Sequence, residues 1–132
     1  MSNNPYLDAI TPTVHRFETH ADSRGNLFVT DLSHFPVNFV RLFVLEASRA
    51  GYSRGKHAHK ECWLFVYPSD TGISLNIKNT SSEETFILDP SMGILIPPYN
   101  WTEVIFAVQS AKLNVLASHL YDPNDYIYDS PK

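Results

Sequence analysis

Short apolar segments, each bounded by residues that favour turns, run through this 132-residue sequence. Residues 73–78 alternate strictly between apolar and polar side chains, which is typical of a half-exposed strand. No stretch of about 11 residues or more carries the 3.6-residue period of an amphipathic helix. Eight or more short strands at roughly regular spacing therefore predict an all-β fold, either an antiparallel barrel or a double-sheet jelly roll.

The length predicts a single domain that spans residues 1–132. Hydrophobic residues make up 43% of the chain, which excludes a disordered protein and suffices for a core. Residues 1–13 show little pattern and predict an N-terminal arm or a short edge strand. Residues 120–132 hold three of the seven tyrosines, so we expect a C-terminal tail that docks on the body or on a partner subunit.

Charge and apolar patterning exclude several classes of partner. The net charge is −4 and no basic block exceeds two residues, so we expect no nucleic acid partner. No apolar run approaches the roughly 18 residues that span a membrane, and the first residues lack the pattern of a secretory signal. The sequence thus predicts a cytoplasmic protein. Cys62 is the only cysteine, which excludes an intrachain disulfide and a cysteine-based zinc site within one chain.

Two further segments give specific structural predictions. The turn-forming residues 22–26 predict a hairpin across residues 14–31. Residues 38–46 are nearly continuously apolar and predict a buried central strand. Arg41 lies inside this segment and needs a partner if it is buried. It either pairs with a structural carboxylate or points into a polar cavity.

The pair His57 and His59 is the strongest candidate for chemistry. In a strand, side chains two residues apart point to the same face, so the two imidazoles should lie side by side. The pair is open to three interpretations: half of a metal site, an acid/base device, or exposed surface residues. Two histidines are too few to hold a transition metal without other ligands. Glu61 or His119 could complete a set, but the spacing favours neither.

Four sequence blocks, taken in order, carry a family resemblance. They are Asp22-Ser23-Arg24-Gly25-Asn26-Leu27, Arg54-Gly55-Lys56-His57-Ala58-His59-Lys60, Ile96-Pro97-Pro98 with Trp101, and Leu116-Ala117-Ser118 with Tyr121-Asp122-Pro123-Asn124-Asp125-Tyr126-Ile127. Together they resemble the WxcM-like cupin family, the dTDP-4-keto-6-deoxyglucose 3,4-ketoisomerases. The similarity covers about residues 14–129.

The resemblance implies a cupin-type antiparallel jelly-roll barrel that works as a homodimer without a cofactor or a metal. Its implied reaction converts a dTDP-linked 4-keto-6-deoxyhexose to the 3-keto isomer through an enediol(ate), in the biosynthesis of deoxysugars for polysaccharides. His57 and His59 would move the protons. Arg41 and Arg54 would bind the anionic substrate, and Trp101 would wall the pocket.

The sequence differs from metal-binding cupins at one place and from the WxcM-like family at two. Metal-binding cupins carry a histidine in the later strand where this chain has Tyr99-Asn100-Trp101-Thr102, so we expect no metal. Many WxcM-like members have a tyrosine before the His-x-His block, for which Glu46 or Tyr52 could substitute here. Trp63 follows the histidines where members show Leu-Glu-Gln. An epimerase on a related keto-sugar nucleotide, or an inert sugar-nucleotide-binding cupin, therefore stays as the alternative.

Overall fold

The structure, a computed structural model, describes Tyr6 and residues 9–131. Residues 1–5, 7 and 8 of the predicted N-terminal arm lie outside the described residues. Within the described part the chain forms twelve strands and two single turns of 3₁₀ helix, Leu32–His34 and Pro123–Asp125. The strands are β1 (Thr13–Arg16), β2 (Glu18–Asp22), β3 (Gly25–Val29), β4 (Arg41–Glu46), β5 (Ser53–His59), β6 (Leu64–Pro68), β7 (Ile73–Lys78), β8 (Glu83–Ile87), β9 (Met92–Ile96), β10 (Trp101–Phe106), β11 (Lys112–Ala117) and β12 (Tyr126–Ile127).

The strands form two five-stranded sheets that share one core. The first sheet has the order β1-β9-β6-β11-β4 and the second the order β12-β5-β10-β7-β8. Every pairing is antiparallel. Ile94 and Leu113 of the first sheet are fully buried in the same cluster as Leu75 and Phe106 of the second. The predicted all-β cupin-type jelly roll is confirmed.

The predicted hairpin is only partly right. Strands β2 and β3 form a separate two-stranded unit, with Asp22 opposite Gly25 at the turn. The carboxylate of Asp22 accepts the backbone N–H of Arg24 at 2.8 Å, which is the turn chemistry that the sequence predicts. Residues 13–16, however, leave the hairpin and pair with β9 instead.

The prediction of a buried central strand over residues 38–46 is wrong. Strand β4 lies at the edge of its sheet, where within the described residues it pairs with β11 alone. Val40, Leu42 and Val44 are 59%, 57% and 48% exposed, while the alternate side chains of β4 are half-buried. A strand with apolar side chains on both faces can lie in the middle of a core, or at an edge where another surface covers one face. The sequence of the strand is the same in both cases, so it could not reveal the edge position.

Neither 3₁₀ turn nor any other helix within the described residues is long and apolar enough to cross a membrane.

Candidate functional site

Strand β5 carries the histidine pair, and a glycine lets it approach its neighbour. Gly55 has φ +91°, and a Cβ there would lie 2.8 Å from the carbonyl oxygen of Thr102 on β10. Beyond this point His57 pairs with Thr102 across the ladder. The imidazole centroids of His57 and His59 lie 5.2 Å apart, and Ala58 between them is buried on the opposite face. The two-residue period thus places the rings side by side, as the sequence predicts.

The pair opens on a cavity of about 340 Å³ between the two sheets. Its walls are largely apolar, with Leu75, Val104, Leu113 and Val115 among the lining residues. The polar lining residues include, besides the two histidines, Arg41, Arg54, Thr102, Tyr121, Asp125 and Tyr126. An apolar cavity with a few convergent polar groups is typical of a small-molecule site.

Each imidazole is held through its Nδ1 atom. Nδ1–H of His57 donates to the carbonyl oxygen of Gly55 at 3.1 Å, because a carbonyl can only accept. Nδ1 of His59 lies 2.9 Å from Oδ2 of Asp125, and these two side chains are each only 12% exposed. Nε2 of each neutral ring is therefore left as the basic atom.

Partial burial favours the uncharged form of both rings. It lowers the pKa of His57 below the usual 6.5, with the carbonyl of Gly55 opposing the shift and the neighbouring His59 adding to it. Burial also lowers the pKa of His59, although the hydrogen bond and charge of Asp125 oppose this. A neutral imidazole at pH 7 has a free lone pair, which is what a general base requires.

The C-terminal tail forms one side of the site. Strand β12 pairs with β5, so that Tyr126 lies opposite His59 and Ile127 opposite Ala58. The ring of Tyr126 lies 4.5 Å from that of His57 and 4.6 Å from that of His59, measured between centroids. Further along, the indole N–H of Trp101 donates to the backbone oxygen of Tyr128 at 3.1 Å. The tail therefore docks on the strand that carries the histidines.

Arg41 and Arg54 line the same cavity as the histidines. The guanidinium of Arg41 lies 4.6 Å from the ring centroid of Phe43 and 5.7 Å from that of Tyr121. Of the two roles that the sequence left open for Arg41, the structure places it in the cavity. Phe43 and Leu45, which alternate with exposed residues along β4 as Arg41 does, line the cavity too.

Glu46 and Tyr52, the predicted substitutes for the family tyrosine, do not line the cavity. Glu46 ends β4, where its carboxylate lies 3.2 Å from Nζ of Lys112. The hydroxyl of Tyr52 accepts a hydrogen bond from Nε of Arg49 at 2.8 Å, and Tyr52 is 41% exposed. Both residues flank or belong to the loop that joins β4 to β5, and this loop enters β5 at the end opposite to His59.

The two tryptophans also lie outside the cavity lining. Trp63 packs against the cluster of Phe35, Phe65 and Leu95, on a different side of the first sheet from the cavity residue Val66. Trp101 is 8% exposed and packs with Ala58, behind the histidine pair rather than in front of it. Its placement follows from the strand period, because Ala58 and the histidines point to opposite faces of β5.

Five tail residues of the cavity were not among the predicted site residues: Leu120, Tyr121, Asp122, Asp125 and Tyr126. All of them except Leu120 belong to the Tyr-Asp-x-x-Asp-Tyr-Ile block that marked the tail. That block was the signal in the sequence that could have pointed to these site residues, because it places carboxylates and aromatic groups within six residues. The position of Asp125 beside His59 depends on a contact between residues 66 positions apart, which the sequence alone does not reveal.

One group among the described residues has the composition of a metal site. Donor atoms of His59, Cys62 and Asp125 lie within 4.8 Å of one another, but the imidazole and the carboxylate already bond to each other. Asn100, in the segment where metal-binding cupins carry a histidine, uses its amide for structure. The amide donates to the carbonyl oxygens of Ile10 at 2.8 Å and Pro97 at 3.1 Å.

Comparison with known proteins is consistent with this geometry. Residues 11–132 match the family model described as "FdtA: WxcM-like, C-terminal". A TDP-4-oxo-6-deoxy-α-D-glucose 3,4-oxoisomerase of Aneurinibacillus thermoaerophilus is 31% identical over 124 residues, which cover 90% of this chain and 88% of that protein. The structure of QdtA, a sugar 3,4-ketoisomerase from Thermoanaerobacterium thermosaccharolyticum in complex with TDP, superposes with a TM-score of 0.80 at 27% identity, covering 89% of this chain and 88% of the other.

A 3,4-ketoisomerase from Helicobacter canadensis gives the same TM-score of 0.80 at 29% identity, over 89% of this chain and 90% of the other. The family match covers almost the whole chain, and the sequence blocks, the jelly roll and the paired histidines agree with it. The chain belongs to the WxcM-like, C-terminal family.

Proposed function

We propose that this protein is a sugar-nucleotide 3,4-ketoisomerase that converts a dTDP-linked 4-keto-6-deoxyhexose to its 3-keto isomer. The observation that carries the proposal is the pair of half-buried imidazoles, with pKa values lowered by burial, that share one cavity with two arginines. The family relatives named as 3,4-oxoisomerase and 3,4-ketoisomerase support the same reaction.

The histidine pair supplies the proton transfers. A neutral Nε2 takes the proton from C3 of the sugar, and the electrons of that bond form the enediol(ate) between C3 and C4. A proton then returns to C4, while O3 loses its hydrogen and O4 gains one, so that the product has the composition of the substrate. A well-placed histidine contributes about 10²–10⁴ in rate to such a step.

The two arginines bind the anionic part of the substrate. A guanidinium offers several N–H donors in a planar fork, which suits the oxygens of a diphosphate. Arg41 on β4 and Arg54 on β5 approach the cavity from different sheets. Their positive charges therefore hold the diphosphate of the nucleotide, and the sugar attached to it reaches the imidazoles.

We further propose that the reaction needs no metal and no cofactor. Proton transfer between neighbouring carbons requires a base and an acid, and the imidazole pair provides both. The carboxylate closest to the pair bonds to His59, and the amide of Asn100 bonds to backbone carbonyls.

The single, unpaired Cys62 fits a reducing compartment, which supports the cytoplasm as the site of action.

The exposed apolar surface supports a homodimer. It includes Leu27, Phe28 and Val29 on β3, which are 58%, 39% and 39% exposed, and the outer face of β4 described above. A surface of this kind on a monomer marks an interaction site. We propose that a second copy of the chain covers it, and sedimentation equilibrium at micromolar concentration tests this, with a monomer as the contradicting result.

The activity is tested by incubating the protein with dTDP-4-keto-6-deoxyglucose in deuterated water. Deuterium at C4 of a 3-keto product is the expected result. The variants His57→Asn and His59→Asn should each lose at least about 100-fold in rate with their unfolding curves retained. His34→Asn, an exposed histidine outside the cavity lining, is the matched control and should keep full activity.

Four results would contradict the proposal. Substrate binding without exchange indicates the inert binding module, and exchange at a carbon other than C3 and C4 indicates an epimerase. Full activity in both histidine variants would refute the acid/base assignment. Loss of activity on chelation, together with stoichiometric tightly bound metal, would refute metal independence.

A further inference from the structure

The carboxylate of Asp125 is held by three groups at the end of β5 and in the residues that follow it. Its Oδ2 atom lies 2.9 Å from Nδ1 of His59 and 3.3 Å from the backbone nitrogen of Cys62. Its Oδ1 atom accepts the backbone N–H of Glu61 at 2.8 Å. The main-chain oxygen of Asp125 also accepts the N–H of Lys60, at 2.8 Å. The carboxylate therefore keeps its orientation without help from the imidazole.

An ionised carboxylate accepts hydrogen bonds and donates none. Nδ1 of His59 must then carry the hydrogen, and Nε2 must be the unprotonated atom of the neutral ring. His57 differs because its Nδ1–H meets an uncharged carbonyl, that of Gly55. A proton arriving on His59 gains a buried negative partner, whereas a proton on His57 gains none.

We propose that Asp125 is a positioning residue: its carboxylate fixes the tautomer and orientation of His59 and stabilises the imidazolium that forms when this ring takes up a proton. The assignment of the His59 tautomer rests on the geometry alone, while the effect of Asp125 on turnover rests on the proposed isomerase function. The tail thus takes part in the chemistry through His59.

The variant Asp125→Asn tests this directly. The amide keeps its oxygen for the backbone N–H of Glu61 and loses only the longer contact with the backbone nitrogen of Cys62, and the main-chain bond to Lys60 is unaffected. Its NH₂ group would face Nδ1 of His59, which forces the hydrogen of the neutral ring to Nε2. Asp129→Asn is the matched control, because it removes an equal charge from the same tail at an exposed residue outside the cavity.

Imidazole ¹⁵N NMR on histidine-labelled protein reads the tautomer without any substrate. In the unaltered protein and in Asp129→Asn we expect the His59 hydrogen on Nδ1, and in Asp125→Asn on Nε2. A pH titration should show the pKa of His59 falling by about one unit or more in Asp125→Asn, since an opposite charge at this distance is lost. The other titratable or charged groups around this ring stay in place, namely Arg41, His57, Cys62, His119 and Tyr126.

Steady-state kinetics with the keto-sugar nucleotide supply the second measurement. Asp125→Asn should lose at least about 100-fold in kcat with KM changed by less than about threefold, because the carboxylate acts on a proton-transfer group. Asp129→Asn should match the unaltered protein. A purely structural role for Asp125 predicts instead an unchanged tautomer, with activity lost only in proportion to the unfolded fraction in urea.

The outcomes separate this inference from the proposed function. An Nε2–H tautomer in the unaltered protein, or the same tautomer with and without the carboxylate, overturns the inference. The expected tautomer change in a protein that shows no isomerase activity overturns the proposed function and leaves the positioning role intact. If Asp125→Asn fails to fold, the tautomer and pKa of His59 in the unaltered protein and in Asp129→Asn still decide the question.

Discussion

We expect Asn100 to have a structural role. Its replacement by the isosteric aspartate tests this, because it predicts the direction in which stability changes with pH. The side chain is 2% exposed. Its Nδ2 donates to the carbonyl oxygens of Ile10, Pro97 and Pro98 at 2.8, 3.1 and 3.3 Å, and its Oδ1 accepts Nδ2–H of Asn79 at 2.9 Å. The variant Asn100→Asp keeps the acceptor for Asn79 but replaces the donor with an oxygen that faces three carbonyls.

The cost of this change depends on pH. The new carboxyl group, when protonated, can donate to one carbonyl, so at low pH the loss is that of one buried hydrogen bond, about 1–3 kcal/mol. Ionisation places a negative charge against carbonyl oxygens in a buried site, which raises the folded-state pKa by about 2–3 units. The folded state then binds more protons than the unfolded state. Stability is retained below the unfolded pKa and falls by about 1.4 kcal/mol per pH unit up to the raised folded pKa.

Urea unfolding followed by tryptophan fluorescence at pH 4.5, 5.5 and 6.5 measures this slope. The free energy of unfolding of Asn100→Asp, relative to the unaltered protein, should fall by about 2–3 kcal/mol across the series. Asn38→Asp, the same change at an exposed residue, should show no slope. A slope near zero for Asn100→Asp would refute the reasoning, because it would mean that the side chain is solvated in the folded protein.

Two further predictions concern packing and pH. In Gly93→Ala the new Cβ would overlap the ring of Phe65, so a loss of about 1–3 kcal/mol in the free energy of unfolding is expected; unchanged urea stability would contradict it. Because burial lowers the pKa values of His57 and His59, the unaltered protein should lose stability as the pH falls from about 7.5 to about 5.5, through the range near 6.5 where unfolded histidine protonates. Unfolding measured across this range should show a smaller loss in a variant with both histidines changed to Asn, and an equal loss would be the opposing result.

The amino-acid sequence by itself determined the features that depend on neighbouring residues. The alternation over residues 73–78 matches strand β7, and the turn at Asp22 joins β2 to β3. The spacing of His57 and His59 placed both rings on one face of β5. Side-chain direction along a strand is a local property with a period of two, so each of these could be read from the sequence.

The tertiary structure alone decided which strands lie side by side. It placed β4 at an edge with an exposed apolar face, moved Glu46 and Tyr52 away from the cavity, and brought Asp125 against His59 across 66 positions. Strand order depends on how the whole chain buries its apolar surface, and many pairings satisfy the same local pattern. The histidine pair is therefore a property of the sequence, whereas the carboxylate that orients one of its rings is a property of the fold.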